Sequence, residues 1–223
     1  MAMTTDASLR HFISGLFFGT SINVKTKQIQ ALDSILRGKD TLCILPTGFG
    51  KSLIYQMIPA AFSKMHNVEK PIVVILSPLL SLVSDQVKSS KTLPESLGVK
   101  AAALDLKIYS QISSGDYNLL FGTPESFLNV TKWRDMLASE YFAEKTVCIV
   151  VDEVHKVRWG QSETSKPFRE AFRRINELRS IIKEDLPILA LSATVNLDIT
   201  KLVKTSCSLP KYLNIVTEYL GSN

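Results

Sequence analysis

The chain has 223 residues, 45% of them hydrophobic and 21% charged, and carries a net charge of +5. That balance is the balance of a globular chain and excludes a disordered one, and no apolar run approaches the roughly 20 residues of a membrane helix. Residues 1–10 show no charged-then-apolar leader pattern, and Cys43, Cys148 and Cys207 are too far apart for a metal knuckle; Cys43 and Cys148 fall inside apolar strands, as reduced, buried thiols of an intracellular protein do.

In chain order, short apolar runs alternate with amphipathic segments. A helix over Thr26–Arg37 precedes a strand over Thr41–Leu45, then a helix over Lys51–Lys64 and a strand over Pro71–Leu76. A helix over Leu79–Ser90 leads to strands over Val99–Leu104 and Tyr117–Phe121, and a helix over Lys132–Glu140 leads to a strand over Thr146–Val151. The last predicted elements are a helix over Pro167–Lys183, a strand over Pro187–Leu191 and a helix over Leu197–Lys204. Val73–Leu76 and Cys148–Val151 are apolar without alternation, the pattern of strands covered on both faces. The expectation is an α/β fold: a mainly parallel sheet with helices on both faces. With no repeat or linker in view, the simplest partition is one domain over 24–209, with a lead-in over 1–23 and an exit segment over 210–223.

Two motifs carry chemistry. The first strand runs into Pro46-Thr47-Gly48-Phe49-Gly50-Lys51-Ser52 and then a helix. The strict pattern G-x-x-x-x-G-K-[ST] fails at its first glycine, where Leu45 stands. Glycines at 48 and 50 still let backbone N–H groups turn inward around an anion, and the helix adds its positive end. In that reading Lys51 reaches the outer phosphates of a nucleotide and Ser52 holds Mg²⁺; a plain strand–helix turn is the alternative. The second motif, Asp152-Glu153-Val154-His155, ends the apolar run TVCIVV. Adjacent carboxylates at the end of a buried strand are unfavourable unless something binds them. Strand ends of a parallel sheet line the ligand crevice, so Asp152 can hold Mg²⁺ through its waters and Glu153 can activate the attacking water. Between Lys156 and Lys183 eight Lys/Arg face three Glu, a net +5 equal to that of the whole chain, which suits a nucleic-acid surface or a solvated helix face.

Together PTGFGKS, DEVH and LSATV resemble the superfamily 2 helicases, and LSPLLSLVSDQV and FGTPES bring the resemblance to the RecQ family of DNA helicases, from about Phe18 to Thr194. The resemblance implies the N-terminal RecA-like motor domain of an enzyme that uses ATP and Mg²⁺ to unwind DNA 3′ to 5′ in repair and recombination. It implies that Gln28 and Lys25 read adenine. Thr47, Gly48, Gly50, Lys51 and Ser52 bind phosphates and metal, Lys51, Asp152, Glu153 and His155 are catalytic, and His155, Ser192 and Thr194 couple the nucleotide state to movement. Ser77, Pro78, Thr123 and Pro124 would lie near the DNA backbone. The family's aromatic-rich loop is rebuilt here around Arg158, Trp159, Phe168, Arg169 and Phe172; the resemblance implies that Arg158, Trp159, Phe168 and Arg169 bind DNA, the aromatics by stacking on bases and the arginines at phosphates, while Phe168 and Phe172 also fit the apolar face of a helix.

The segment between Leu104 and Tyr117 looks trimmed, and nothing in the chain resembles a second RecA-like domain. The implied partners are therefore DNA, as a single strand or junction, and a second RecA-like domain, with no membrane; alone the chain should hydrolyse ATP weakly and not unwind. The implied location is intracellular: the nucleus in a eukaryote, the cytoplasm or nucleoid in a bacterium. The alternatives are a DEAD-box-like RNA helicase domain and a non-catalytic ATP-dependent nucleic-acid-binding fragment.

Overall fold

The computed structural model describes residues 6–77, 80–154, 166–193 and 213–218, with the backbone alone for residues 6, 80–81 and 166–173. Its centre is a sheet of β1 (Thr41–Ile44), β2 (Ile72–Leu76), β3 (Ala101–Ala103), β4 (Leu119–Gly122), β5 (Thr146–Val151), β6 (Ile188–Ser192) and β7 (Asn214–Thr217). Every pairing among the described residues is parallel, in the order β3-β4-β2-β5-β6-β1-β7. Two helices, α1 (Asp6–Leu16) and α2 (Thr26–Leu36), precede the sheet. Parallel strands need crossover connections, and these carry α3 (Lys51–His66), α4 (Leu80–Ser90), α5 (Tyr109–Ser113), α6 (Pro124–Asn129), α7 (Thr131–Leu137), α8 (Glu140–Lys145) and α9 (Lys166–Ile182).

The pleat sorts each strand's side chains into two cores. Leu42 and Ile44 of β1, Val74 and Leu76 of β2 and Ile188 of β6 face Phe127, Trp133, Leu137, Phe142, Leu178 and Ile182 of α6–α9. Cys43, Val73, Ile75, Leu189 and Leu191 face Leu9, Ile13, Leu32, Ile35, Tyr55 and Ile58 of α1–α3. Covered on both faces, β2 and β5 are buried at every position, which is why they read as unbroken apolar runs.

The structure corrects several element predictions. Residues 6–16, inside the segment read as a lead-in, form α1, and Leu9, Ile13 and Phe17 are buried at four-residue spacing. Residues 214–217, inside the segment read as an exit, do not leave the sheet: their backbone pairs in register with β1, Thr41 opposite Asn214, and Val216 is buried. The helix expected over Lys132–Glu140 is two, because Ser139 starts a new one: its Oγ accepts from Phe142 N at 3.4 Å and caps α8. The stretch from Leu104 to Tyr117 holds a single tight turn at Leu106–Ile108 and the short α5. The helix expected over Leu197–Lys204 lies outside the described residues.

Asp40, just before β1, fastens the edge of the sheet opposite its strand ends. Its carboxylate accepts from Ile188 N at 2.8 Å and pairs with Arg179 Nη1 of α9 at 3.1 Å, and its carbonyl accepts from Asn214 N at 2.9 Å. The start of β1, α9, β6 and β7 therefore meet at one buried residue, 2% exposed.

Candidate nucleotide site

Five adjacent strands bring their carboxyl ends to the same edge in the order β4-β2-β5-β6-β1. Thr123 follows β4, Ser77 follows β2, Asp152 follows β5, Ser192 ends β6, and the glycine loop follows β1. Residues spread over about 150 positions of sequence thus form one row, the place where ligands bind open α/β sheets.

The loop folds as its glycines require. Gly48 and Gly50 take φ of 78° and 89°, a region closed to most side chains, and Gly50 caps the start of α3. Lys51 opens that helix, and its Nζ donates to the carbonyls of Leu45 at 3.1 Å and Pro46 at 3.3 Å. An ammonium has three protons, so one remains to point elsewhere. Thr47 and Gly48 are exposed, and Ser52 is half-buried on the first turn of α3. Backbone N–H groups at the head of a 16-residue helix, with a lysine among them, make a cradle for a phosphate.

Gln28 does something the sequence does not disclose. It is 2% exposed, its Oε1 accepts from Lys25 N at 2.7 Å, and its Nε2 donates to Phe49 O at 3.2 Å and Gly50 O at 2.9 Å. Both amide protons therefore brace the loop. A Cβ placed on Gly50 would lie 2.7 Å from that Nε2, so the brace and the glycine require each other. Lys25 is exposed and holds its ammonium 4.1 Å from the centre of the Phe49 ring. Lys25, Gln28 and Phe49 form one unit beside the cradle, and Phe49 is a member that sequence reading passes over.

The acidic motif sits two strands away in the row, with only β6 between β5 and β1. Asp152 is 5% exposed; its Oδ1 accepts from Glu153 N at 2.9 Å and its Oδ2 from Gln86 Nε2 of α4 at 2.7 Å. Burial, and then the neighbouring Glu153 charge, push its carboxyl above the usual range, while the Glu153 N–H, Gln86 and the Lys51 charge pull it back. Glu153 has φ of 49°, left-handed for a residue that is not glycine, in the turn that follows β5. Sequence reading passes over Gln86 as well; the only signal for it is its place in LSPLLSLVSDQV.

Of the other candidate residues, Ser192 is wholly buried and its carbonyl accepts from Leu45 N at 3.0 Å, joining β6 to the root of the loop. Ser77 is also buried in the row, and its N–H donates to Gly122 O at 3.0 Å. Thr123 caps α6, accepting from Ser126 N at 3.2 Å, with Pro124 at the first helical position. Phe168 and Arg169 lie in the first turn of α9, of which the backbone is described. Phe172 lies one turn further along. Pro78, His155, Arg158, Trp159 and Thr194 lie outside the described residues.

Comparison with known proteins agrees with this layout. Residues 25–202 match the DEAD/DEAH box helicase model. The chain is 34% identical over 179 residues to the RecQ-like DNA helicase BLM of Xenopus laevis, covering 77% of this chain and 12% of that protein. It is 35% identical over 190 residues to the probable ATP-dependent DNA helicase RecS of Bacillus subtilis, covering 80% of this chain and 33% of that one. Its fold matches the crystal structure of the DUF1998 helicase MrfA bound to DNA with a TM-score of 0.71 at 18% identity, over 92% of this chain and 29% of that one. The chain thus spans between an eighth and a third of the length of these curated relatives. A RecA-like sheet, a glycine–lysine loop after β1 and paired acids after β5, matched over most of the chain, place it in the DEAD/DEAH box helicase family.

Proposed function

We propose that this chain is the ATP-binding motor domain of a RecQ-like DNA helicase and that, joined to a second RecA-like domain, it turns ATP hydrolysis into 3′-to-5′ movement on DNA. The observation that carries the reading is the row of strand ends, with the phosphate cradle of β1 and the acids of β5 flanking Ser192. ATP lies with its outer phosphates at the head of α3 and its base toward Lys25 and Phe49. Lys51 meets the phosphates, and Glu153 orients and deprotonates the attacking water.

Ser52 and Asp152 fit a magnesium ion. Each Asp152 oxygen accepts one hydrogen bond, which leaves each a lone pair, and among the described residues no cluster of three metal-ligating side chains competes for the ion. A cation that keeps its waters and needs only one or two side chains suits such a site. When bound, Mg²⁺ neutralises charge on the outer phosphates.

DNA lies on the other half of the same row, over Ser77, Thr123 and Pro124, with the basic start of α9 following the acidic motif in sequence. The curated relatives above are DNA helicases by name, which favours DNA over RNA. ATP hydrolysis by the 223-residue chain, measured with added single-stranded DNA or RNA, tests the reading. Greater stimulation or tighter binding by DNA is expected; preference for RNA would move the chain to the RNA helicase alternative, and no ATP binding at all would defeat both.

A further inference from the structure

Two buried polar atoms beside the proposed metal site make no hydrogen bond of good geometry: the Tyr55 hydroxyl, which lies near the Ser52 hydroxyl, and Gln86 Oε1. Such orphans are rare in folded proteins, and each is unfavourable by about 1–3 kcal/mol unless it has another use. Tyr55 is fully buried on α3, one turn beyond Ser52, with its ring edge-on to Phe121 at 6.0 Å between centroids. Nothing about packing requires the hydroxyl; a phenylalanine would fill the same space. Gln86 comes from another helix, α4, and its amide already holds Asp152 at 2.7 Å.

We propose that Tyr55 and Gln86 are positioning residues for the magnesium end of the nucleotide site: Tyr55 orients the Ser52 side from α3, Gln86 orients Asp152 from α4, and their unpartnered atoms exchange hydrogen bonds with the ion's waters, the hydroxyl donating and the amide oxygen accepting. The proposal rests on the ATP reading above. The polar groups near the Tyr55 hydroxyl are the Ser52 hydroxyl and the Asp152 carboxylate. Those two neighbours are the pair expected to hold the ion. Groups that support metal-site ligands in this way typically alter metal affinity by about 10–100-fold when removed.

Tyr55→Phe separates this role from packing. Binding of a fluorescent ATP analogue is titrated with Mg²⁺ present and with EDTA, and thermal unfolding is followed without nucleotide. The expected result is an about tenfold loss of affinity with Mg²⁺, little change in EDTA, and an unfolding midpoint equal to or above that of the unaltered chain. Gln86→Leu should show the same magnesium-selective loss. Unchanged affinity in Tyr55→Phe overturns the proposal, as does an equal loss with and without Mg²⁺. A wild-type chain that binds the analogue in neither buffer refutes the ATP reading itself, a result distinct from either.

Discussion

Gly50 is where backbone, brace and cradle meet. Its φ of 89°, and the 2.7 Å at which an added methyl carbon would meet Gln28 Nε2, leave no room for a side chain. Gly50→Ala should lower stability by about 1–2 kcal/mol from the left-handed backbone alone, read as a lower thermal midpoint, and should weaken ATP binding as well. Phe49→Ala should keep the loop, because Gln28 bonds to main-chain oxygens, yet weaken the base contact proposed for Lys25 and the ring. ATP affinity should fall while affinity for inorganic triphosphate is unchanged, a comparison made in one competition assay. Burial pushes the Cys43 thiol up to about 12 and the Cys148 thiol up further. At pH 8 an alkylating reagent should therefore leave both unlabelled until the chain unfolds, which mass spectrometry reads directly. The residue types at 48, 50, 51, 152 and 153 are legible in the sequence because their chemistry is local. The roles of Gln28 and Gln86 are not, since a side-chain amide bonds to whatever the fold brings near it.

At the scale of elements, the strands are legible because two-sided burial leaves an unbroken apolar run. The ends are not. Leu9, Ile13 and Phe17 carry a helical period that is hard to extract from a segment beginning in polar residues, and the four residues of β7 are too few to show a period of two. Sheet order is also hidden: β7 pairs with β1 across more than 170 residues, a choice made by the strand edge that β1 leaves open. The Asp40–Arg179 pair shows how such distant elements are held. Its side chains are 1% and 14% exposed, and breaking a buried pair from one side typically costs about 3–5 kcal/mol because a desolvated charge remains. Arg179→Ala should lower stability by an amount near that range in a urea melt, and Asp40→Ala should do at least as much, since it also deprives Ile188 N of its acceptor. A double variant that is much less destabilised than the sum of the two would identify the pair as the unit.

Over the whole molecule, the proposed function has one sheet edge serve two ligands, with ATP at the β1 end and DNA at the β4 end and the acids of β5 between them. That division predicts that the 223-residue chain alone binds ATP and hydrolyses it slowly, and does not separate strands at saturating ATP and Mg²⁺. In related phosphoryl transfers an arginine supplied from across the cleft is worth about 10³–10⁵ in rate, and a gel assay for strand separation checks the prediction. The central claim is that the loop of β1 and the acids of β5 form one ATP site with divided labour. Lys51 holds phosphate in the ground state, whereas Glu153 acts in the transition state. The most direct measurement is a titration of ATP with Mg²⁺ against Lys51→Ala and Glu153→Gln, followed by single-turnover hydrolysis. Losing a charged contact worth about 1.5–3 kcal/mol should weaken binding by Lys51→Ala about 10–100-fold, while Glu153→Gln should bind as the unaltered chain does and fail to hydrolyse. Equal loss of binding in both, or full binding by Lys51→Ala, would contradict the account.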